Sequence, residues 1–281
     1  MDARIFAVTV NTDELSQHVP RPYERVELYA SSPEQYPGYI QPTLWEESRE
    51  ILLALWGDDV HGRLGRYVAV MRATGPYGAD FWVLNELDSL IKANTSGHDV
   101  AIMDLSHRLP SPTNAPVSQK ASHLDAAREV AEKHRERFSG QTIVQESWLS
   151  PKMLKLVELL QRAKNRTDIF QGIIFIEQRS IASTVSWMLS RIPSLHDWIT
   201  TGVVMGHGTT NSASTKKVMD GMQFKLQHEV IEKFRKHEIN LLVATNVAEE
   251  GLDFKASPLY SRQLLVLMLK RRVTSSSDTI L

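Results

Sequence analysis

Cysteine does not occur in the 281 residues. Disulfide frameworks, thiol catalysis and cysteine-ligated zinc are thereby excluded, and a reducing intracellular setting, cytoplasmic or nuclear, is expected. The chain also has almost no net charge: 32 Lys and Arg against 33 Asp and Glu leave −1. No global field draws it to a polyanion, so any nucleic-acid contact must come from local groups. Long apolar runs are missing as well. None approaches the roughly 20 residues that cross a bilayer, so no membrane association is expected. The N-terminal MDARIFAVTVNTDEL lacks a basic start followed by a long apolar core, unlike a signal peptide. What remains, 42% hydrophobic residues, is enough for one large domain or two modest ones.

The apolar residues are arranged in two styles. Arg4–Val10 alternates and is rich in Val, Ile, Phe and Thr, which predicts a strand at the very start; the chain is therefore expected to begin inside a larger unit. Asp13–His18 reads as one helical turn. Five prolines between Pro20 and Pro42 predict an extended connector with a short strand at Arg25–Tyr29, because proline fixes φ and removes a backbone donor. From Leu44 the period becomes helical, through Leu52, Leu55 and Trp56, then Leu64, Val68 and Met71, then Phe81, Leu84, Leu87 and Ile91. Three helices by Asn94 result, punctuated by Gly57, Gly62 and a turn at Gly75–Gly78. Asn94–Ser122 reads as a loop with a turn at Val100–His107, followed by a densely charged helix at Leu124–Phe138.

After Gly140 strands and helices alternate. Helices are expected at Pro151–Lys164, Ile181–Ile192 and Met222–His237. Strands are expected at Gly172–Glu177, Gly202–Met205 and Ile239–Ala244. That alternation argues for a parallel α/β sheet. Right-handed crossovers then set the loops after each strand along one edge, where α/β proteins bind ligands. Gln178 and Arg179 follow the first of these strands. Gly206, His207 and Gly208 follow the second. Thr245, Asn246, Glu249, Glu250, Gly251 and Asp253 follow the third. Glycines flanking His207 let backbone N–H groups approach a phosphate. A threonine hydroxyl at a strand end suits a phosphate oxygen, and such contacts hold a nucleic-acid strand without reading its bases. Asp253 is suited to accept from a ribose hydroxyl, with Gly251 letting a nucleotide lie close. Each signal alone has a plainer reading: a Gly-x-Gly is usually a turn, acids at 249 and 250 suit a helix start, and Arg179 starts the next helix.

Taken in order, these segments resemble a known family. LLVATNVAEEGLDF, Leu241–Phe254, resembles motif V of superfamily 2 RNA helicases, in the version shared by Dicer and the innate-immune RNA sensors. GIIFIEQR resembles motif IV with its following arginine, VMGHG resembles the motif between them, and QHEVIEKFRKHEINLLVAT has the family's helix-then-strand approach. FKA after Asp253 is similar to the Dicer-like ribonucleases, the fungal kind in particular. The resemblance covers about 255 residues and is strongest over 150–256. It implies an α/β fold, a RecA-like parallel sheet flanked by helices, with an N-terminal α-helical insertion domain. Residues 1–42 would be a connector from a first helicase lobe, 43–145 the helical insertion, and 146–281 the C-terminal RecA-like lobe, divergent or truncated after about 256. It further implies that Thr245, Gly206 and Gly208 contact the RNA backbone, that Gln178 and Arg179 support the RNA-facing rim, and that Gly251 and Asp253 face the nucleotide. The insertion would clamp double-stranded RNA, where shape and phosphate contacts dominate.

The departures narrow the activity. The sequence contains no GxxxxGK[ST] loop to cradle a triphosphate and position magnesium, and no Asp-Glu-x-His or Asp-Glu-Cys-His box to activate water. A Q-x-x-G-R-x-x-R helix bearing arginine fingers would follow Ala256 in the family; here SPLYSRQLLVLMLKRR stands instead, and Arg262, Arg271 and Arg272 take no such role. Leu264–Leu269 still reads as a strand. ATP and Mg2+ therefore belong to this chain by resemblance only, completed by a first lobe or a partner protein in trans. The expected function is the C-terminal lobe of a Dicer-like RNA helicase in RNA-silencing processing of double-stranded RNA, inactive alone. The alternative is a non-catalytic RNA- or protein-binding adaptor, resting on the charged helix Asp125–Arg137 and on Trp45, Trp82 and Trp148 as exposed aromatics, against which stands their burial in the core.

Overall fold

A computed structural model of the chain describes residues 27–28, 36, 38–41, 43–95, 117–139, 144–164, 170–205, 226–245, 264–269 and 279–280. Its helical layer comprises α1 (Leu44–Trp56), α2 (Val60–Thr74), α3 (Pro76–Thr95) and α4 (Val117–Arg135), and α5 (Pro151–Lys164) leads into the sheet. The parallel sheet holds β2 (Gln171–Ile176), β3 (Thr201–Val204), β4 (Leu241–Thr245) and β5 (Leu264–Leu269), in the order β3-β4-β2-β5. Helix α6 (Arg179–Leu189) follows β2, and α7 covers 226–235. The two-residue strands β1 (Glu27–Leu28) and β6 (Thr279–Ile280) pair antiparallel. The expected class is borne out: a parallel α/β sheet with helices on both faces and a helical layer before it.

Local chemistry explains the helix starts. Thr43 caps α1 reciprocally with Glu46: its Oγ1 accepts from Glu46 N at 3.2 Å while its own N donates to the Glu46 carboxylate at 2.6 Å. Ser150 caps α5 through Met153 N at 3.1 Å, with Pro151 at the first helical position, where its missing donor costs nothing. The sheet is buried on both faces with a period of two. Ile174, Ile176, Leu241 and Val243 pack with α6, while Ile173, Phe175, Leu242 and Ala244 pack with Phe234 of α7.

Several boundaries differ from the sequence reading. The segment from Gly75 to Gly78 is not a turn. Gly75 (φ 88°) ends α2 and Pro76 opens α3 at once, so Gly78 lies inside a helix. Close packing is the reason: a Cβ at Gly78 would meet Met188 Sδ of α6 at 2.7 Å, and one at Gly75 would meet the Ser150 backbone N at 2.8 Å. Helix α4 starts at Val117, not Leu124, and the helix-forming Gln119, Lys120 and Ala121 lie in its first turns. Helix α6 ends at Leu189; Ile192 stays fully buried but sits in a turn before Pro193, which cannot continue a helix. Of the expected connector strand, Glu27–Leu28 lies among the described residues and is extended in β1, and β5 occupies the expected Leu264–Leu269. The readings at Arg4–Val10, Asp13–His18 and Val100–His107 lie outside the described residues.

The tryptophans are packing residues. Trp82 is buried, Trp45 stacks on Tyr67 at 4.2 Å between centroids, and Trp148 stacks on Tyr77 at 5.6 Å. The charged helix is likewise engaged within the layer, Lys133 with Glu47 at 2.8 Å and Arg135 with both Asp88 oxygens at 3.0 and 3.1 Å. The exposed aromatics that the adaptor alternative rested on are therefore corrected: the indoles fill the space between helices.

One hydrophobic cluster runs from Tyr39 through the helical layer to Val243 of the sheet. Its joint is aromatic. Phe81 of α3 lies flat on Trp187 of α6 at 3.7 Å and 7°, Tyr77 stacks on the same indole at 5.5 Å, and Arg191 sits over it at 4.4 Å. Trp187→Ala is expected to destabilise the chain by about 2–4 kcal/mol, at or just below the range for truncating a large aromatic. Urea unfolding followed by far-ultraviolet circular dichroism would read it, and a loss below about 0.5 kcal/mol would contradict this account.

A buried polar centre ties the incoming connector to this core. Asp80 accepts from Tyr39 Oη at 2.6 Å, from Trp45 N at 3.4 Å and from Arg137 Nη2 at 3.4 Å. Trp148 Nε1 donates to the Gly38 carbonyl at 3.2 Å. Arg137 Nη1 donates to His134 Nδ1 at 2.9 Å, and because a guanidinium only donates, His134 Nε2 carries the proton and donates to Glu47 at 3.0 Å. Burial pushes the Asp80 carboxyl above its ordinary range, with the Tyr39 hydrogen bond and the Arg137 charge pulling the other way. A raised carboxyl pKa contributes stability below the unfolded value of about 3.9 and loses it as pH rises through the folded value. The stability of the native chain minus that of Asp80→Asn should therefore fall as pH rises from about 4, measured by urea titration at each pH; a difference that grows with pH would refute the assignment.

Candidate RNA-facing rim

The sheet register decides which candidate residues meet. β2 and β4 run parallel with Ile176 opposite Thr245, and β3 and β4 run parallel with Val204 opposite Ala244. All three strands therefore end on one edge. Thr245 closes β4 there, Glu177 and Gln178 lie just past the end of β2, and Met205 just past the end of β3. β5, parallel to β2 with Leu269 opposite Ile176, ends on the same edge. The opposite edge is closed by Asn240, whose Oδ1 accepts from Thr200 N at 2.9 Å and whose Nδ2 donates to the Trp198 carbonyl at 2.6 Å.

On the rim, Gln178 is exposed and Arg179 half-buried. Gln178 is the N-cap of α6 with extended backbone, and its side chain makes no capping bond. Its carbonyl accepts from Ala182 N at 3.0 Å. The first turn of α6 has no acidic residue and begins with Arg179. That is the reverse of what the helix dipole favours for stability, and it concentrates positive potential where the helix amides already offer some. Thr245 is buried, 3% exposed, so it is the least solvent-accessible of the three. Gly206, Gly208, Gly251 and Asp253 lie outside the described residues.

A residue that the sequence reading passed over also belongs to this edge. Gln227 of α7 donates from Nε2 to the Met205 carbonyl at 2.6 Å. The signal was present in QHEVIEKF: a glutamine standing where a helix that packs under the sheet comes up to a strand end. Elsewhere, a groove of about 520 Å3 lies between α3 and α4, lined by Asp88, Lys92, Arg128, Glu129, Glu132, Arg135 and Ile91. Its charges are balanced and it belongs to the helical layer, not to the sheet edge shared by Gln178, Arg179 and Thr245. Among the described residues no helix is long and apolar enough to cross a membrane.

What the rim can do chemically is hold an anionic strand from the side, with one guanidinium, an uncapped helix start and backbone amides. If Arg179 faces phosphate in this way, Arg179→Ala should weaken binding to duplex RNA severalfold at 0.1 M salt and lower the magnitude of the log K against log salt slope by about one. Fluorescence anisotropy at several salt concentrations measures both; an unchanged slope would remove Arg179 from the rim's phosphate contacts.

Residues 151–259 match the helicase conserved C-terminal domain. The chain is 36% identical to Dicer-like protein 2 of Emericella nidulans over 109 residues, 38% of this chain and 7% of that protein. It is 37% identical to endoribonuclease Dicer-S of Xenopus laevis over 100 residues, 34% of this chain and 5% of that protein. It is 30% identical to protein Dicer of Schizosaccharomyces pombe over 118 residues, 41% of this chain and 8% of that protein. The matched stretch thus spans only 5–8% of the length of these relatives. Among solved structures, the Pyrococcus furiosus Hef helicase domain aligns with 79% of this chain and 39% of its own at 18% identity, with a TM-score of 0.34. The expected resemblance to Dicer-like helicases, the fungal ones included, is borne out.

Proposed function

We propose, on the premise that this chain carries a helicase conserved C-terminal domain of the Dicer-like kind, that it supplies the second-lobe half of an ATP-dependent, double-stranded-RNA-binding site in RNA-silencing processing. The observation that carries the reading is the parallel register, which gathers Gln178, Arg179 and Thr245 on one sheet edge. In this reading Arg179 and the α6 amides take RNA phosphates, together with Gly206, Gly208 and Thr245, and the helical layer lies along the duplex. Duplex RNA presents phosphates and 2′-hydroxyls in a regular array that is recognised by shape.

Gly251 and Asp253 would face ATP across a cleft completed by a first lobe, which would also bring the triphosphate loop, the water-activating box and the Mg2+ site. The sequence itself contains neither a GxxxxGK[ST] loop nor a DExH box. Phosphoryl transfer rests on positioning and charge stabilisation, and arginine fingers alone contribute about 10³–10⁵ in rate. This chain alone is therefore a binding half-site, not a motor.

The purified chain should bind duplex RNA in a salt-dependent manner and release no phosphate from ATP, with or without RNA, in a phosphate-release assay. Phosphate release that disappears on Asp253→Ala would show the chain to be a complete ATPase, and salt-independent or absent duplex binding would remove the RNA reading.

A further inference from the structure

Helix α2 packs inward on α3, α5 and α6 and buries Arg63, Val70 and Thr74. Its outward side is not composed as a solvated helix face. Leu64 and Val68, one turn apart, are 36% and 37% exposed, and Gly62, Gly65 and Arg72 are exposed beside them. Glycine is a poorer helix former than any residue except proline, and inside a helix it marks a place where something comes close. At Gly78 of α3 that neighbour is Met188, 2.7 Å from where a Cβ would stand. At Gly65 nothing among the described residues comes within 4 Å. The room it leaves opens outward.

The charges are arranged about that glycine. Arg72 lies seven residues after it, two helical turns on and within about 20° of the same side. Asp58 lies seven residues before it, in the 3₁₀ turn Gly57–Asp59 that leads into α2. Both are exposed, and neither forms an ion pair among the described residues. Asp59, by contrast, is held by Arg63 and Arg66 at 3.1 and 2.9 Å. An anion at one end, a cation at the other and an apolar middle do not suit RNA, whose phosphates Asp58 would repel. They suit the same surface turned through half a rotation. When two copies of α2 run antiparallel and cross at Gly65, Asp58 of each copy stands level with Arg72 of the other. Val68 of each then stands level with the bare backbone of Gly62 in the other, because both pairs are evenly spaced about residue 65. Such self-complementarity is the mark of a twofold, isologous contact.

We infer that the outward face of α2 is a self-association surface that seats a second copy of this chain antiparallel across Gly65. The glycines let the two backbones reach the spacing of packed helices, about 8–10 Å. Leu64 and Val68 leave water, and two Asp58–Arg72 pairs set the register. The inference stands apart from the RNA reading. A single helix face is at the small end of protein interfaces, so the association is weak, on the order of tens of micromolar.

Sedimentation velocity of the full chain, from about 1 to about 200 µM so as to bracket that affinity, is the test. The native chain should pass from monomer to dimer. Gly65→Leu should stay monomeric throughout and keep or raise its thermal stability, because the added side chain meets nothing in its own chain. Asp58→Arg and Arg72→Asp should each weaken association about tenfold or more by setting like charges level with one another. An equimolar mixture of these two variants should associate as the native chain does, since a copy with two cations then faces a copy with two anions. Association untouched by Gly65→Leu, or a mixture that fails to recover, would overturn the inference. So would a native chain that stays monomeric, which would leave this face to a different protein or to solvent. Duplex binding, measured separately, bears on the RNA reading alone.

Discussion

The sheet edge takes a fixed relation to the helical layer through the seating of α2 and α3 on α6. Phe81 of α3 stacks face to face on Trp187 of α6, and Gly78 of α3 leaves room for Met188 of the same helix. Gly75, just ahead of α3, leaves room instead for the backbone of Trp148 and Ser150. Helix α3 also touches α1, α2 and α4, so moving it would disturb the whole helical layer. Because α6 begins on the rim at Arg179 and ends under this aromatic joint, the same eleven-residue helix presents the candidate phosphate-binding end and bears the packing load.

Polar burial adds a second constraint of another kind. Asp80 and the buried pair of Arg63 with Glu86, 2.6 Å apart, lie inside a layer that hydrophobic residues would fill at lower cost. What these groups contribute is direction. Tyr39 reaches Asp80 only if the connector enters at one angle, and Arg137 can serve Tyr39, Asp80 and His134 only from one position. The short stretch before α1 is thereby placed against α3, the end of α4 and Trp148 together.

The candidate site divides along similar lines. Motif-like segments were legible because they sit where chain geometry forces chemistry to sit, immediately after apolar strands. Gln178, Arg179 and Thr245 meet on one edge for no reason other than parallel pairing. The contact of Gln227 was not legible, because it depends on which carbonyl the side chain meets across 22 positions of chain, and no local pattern encodes that. The tryptophans illustrate the reverse case: residue type suggested surface recognition, and packing among Tyr39, Tyr67 and Tyr77 absorbed them.

The sequence by itself determined the α/β alternation, the three helices before it, the strand at Leu264–Leu269, and the kinship carried by Leu241–Phe254. These are matters of local period and short-range chemistry, written residue by residue. Only the tertiary structure decided that α3 starts directly at Pro76, that α4 starts at Val117, that Trp82 is core, and that a glutamine on α7 meets the Met205 carbonyl just past the end of β3. Such features are set by what lies across the interior at close range, where packing density leaves a single arrangement. A linear pattern carries no record of that neighbour.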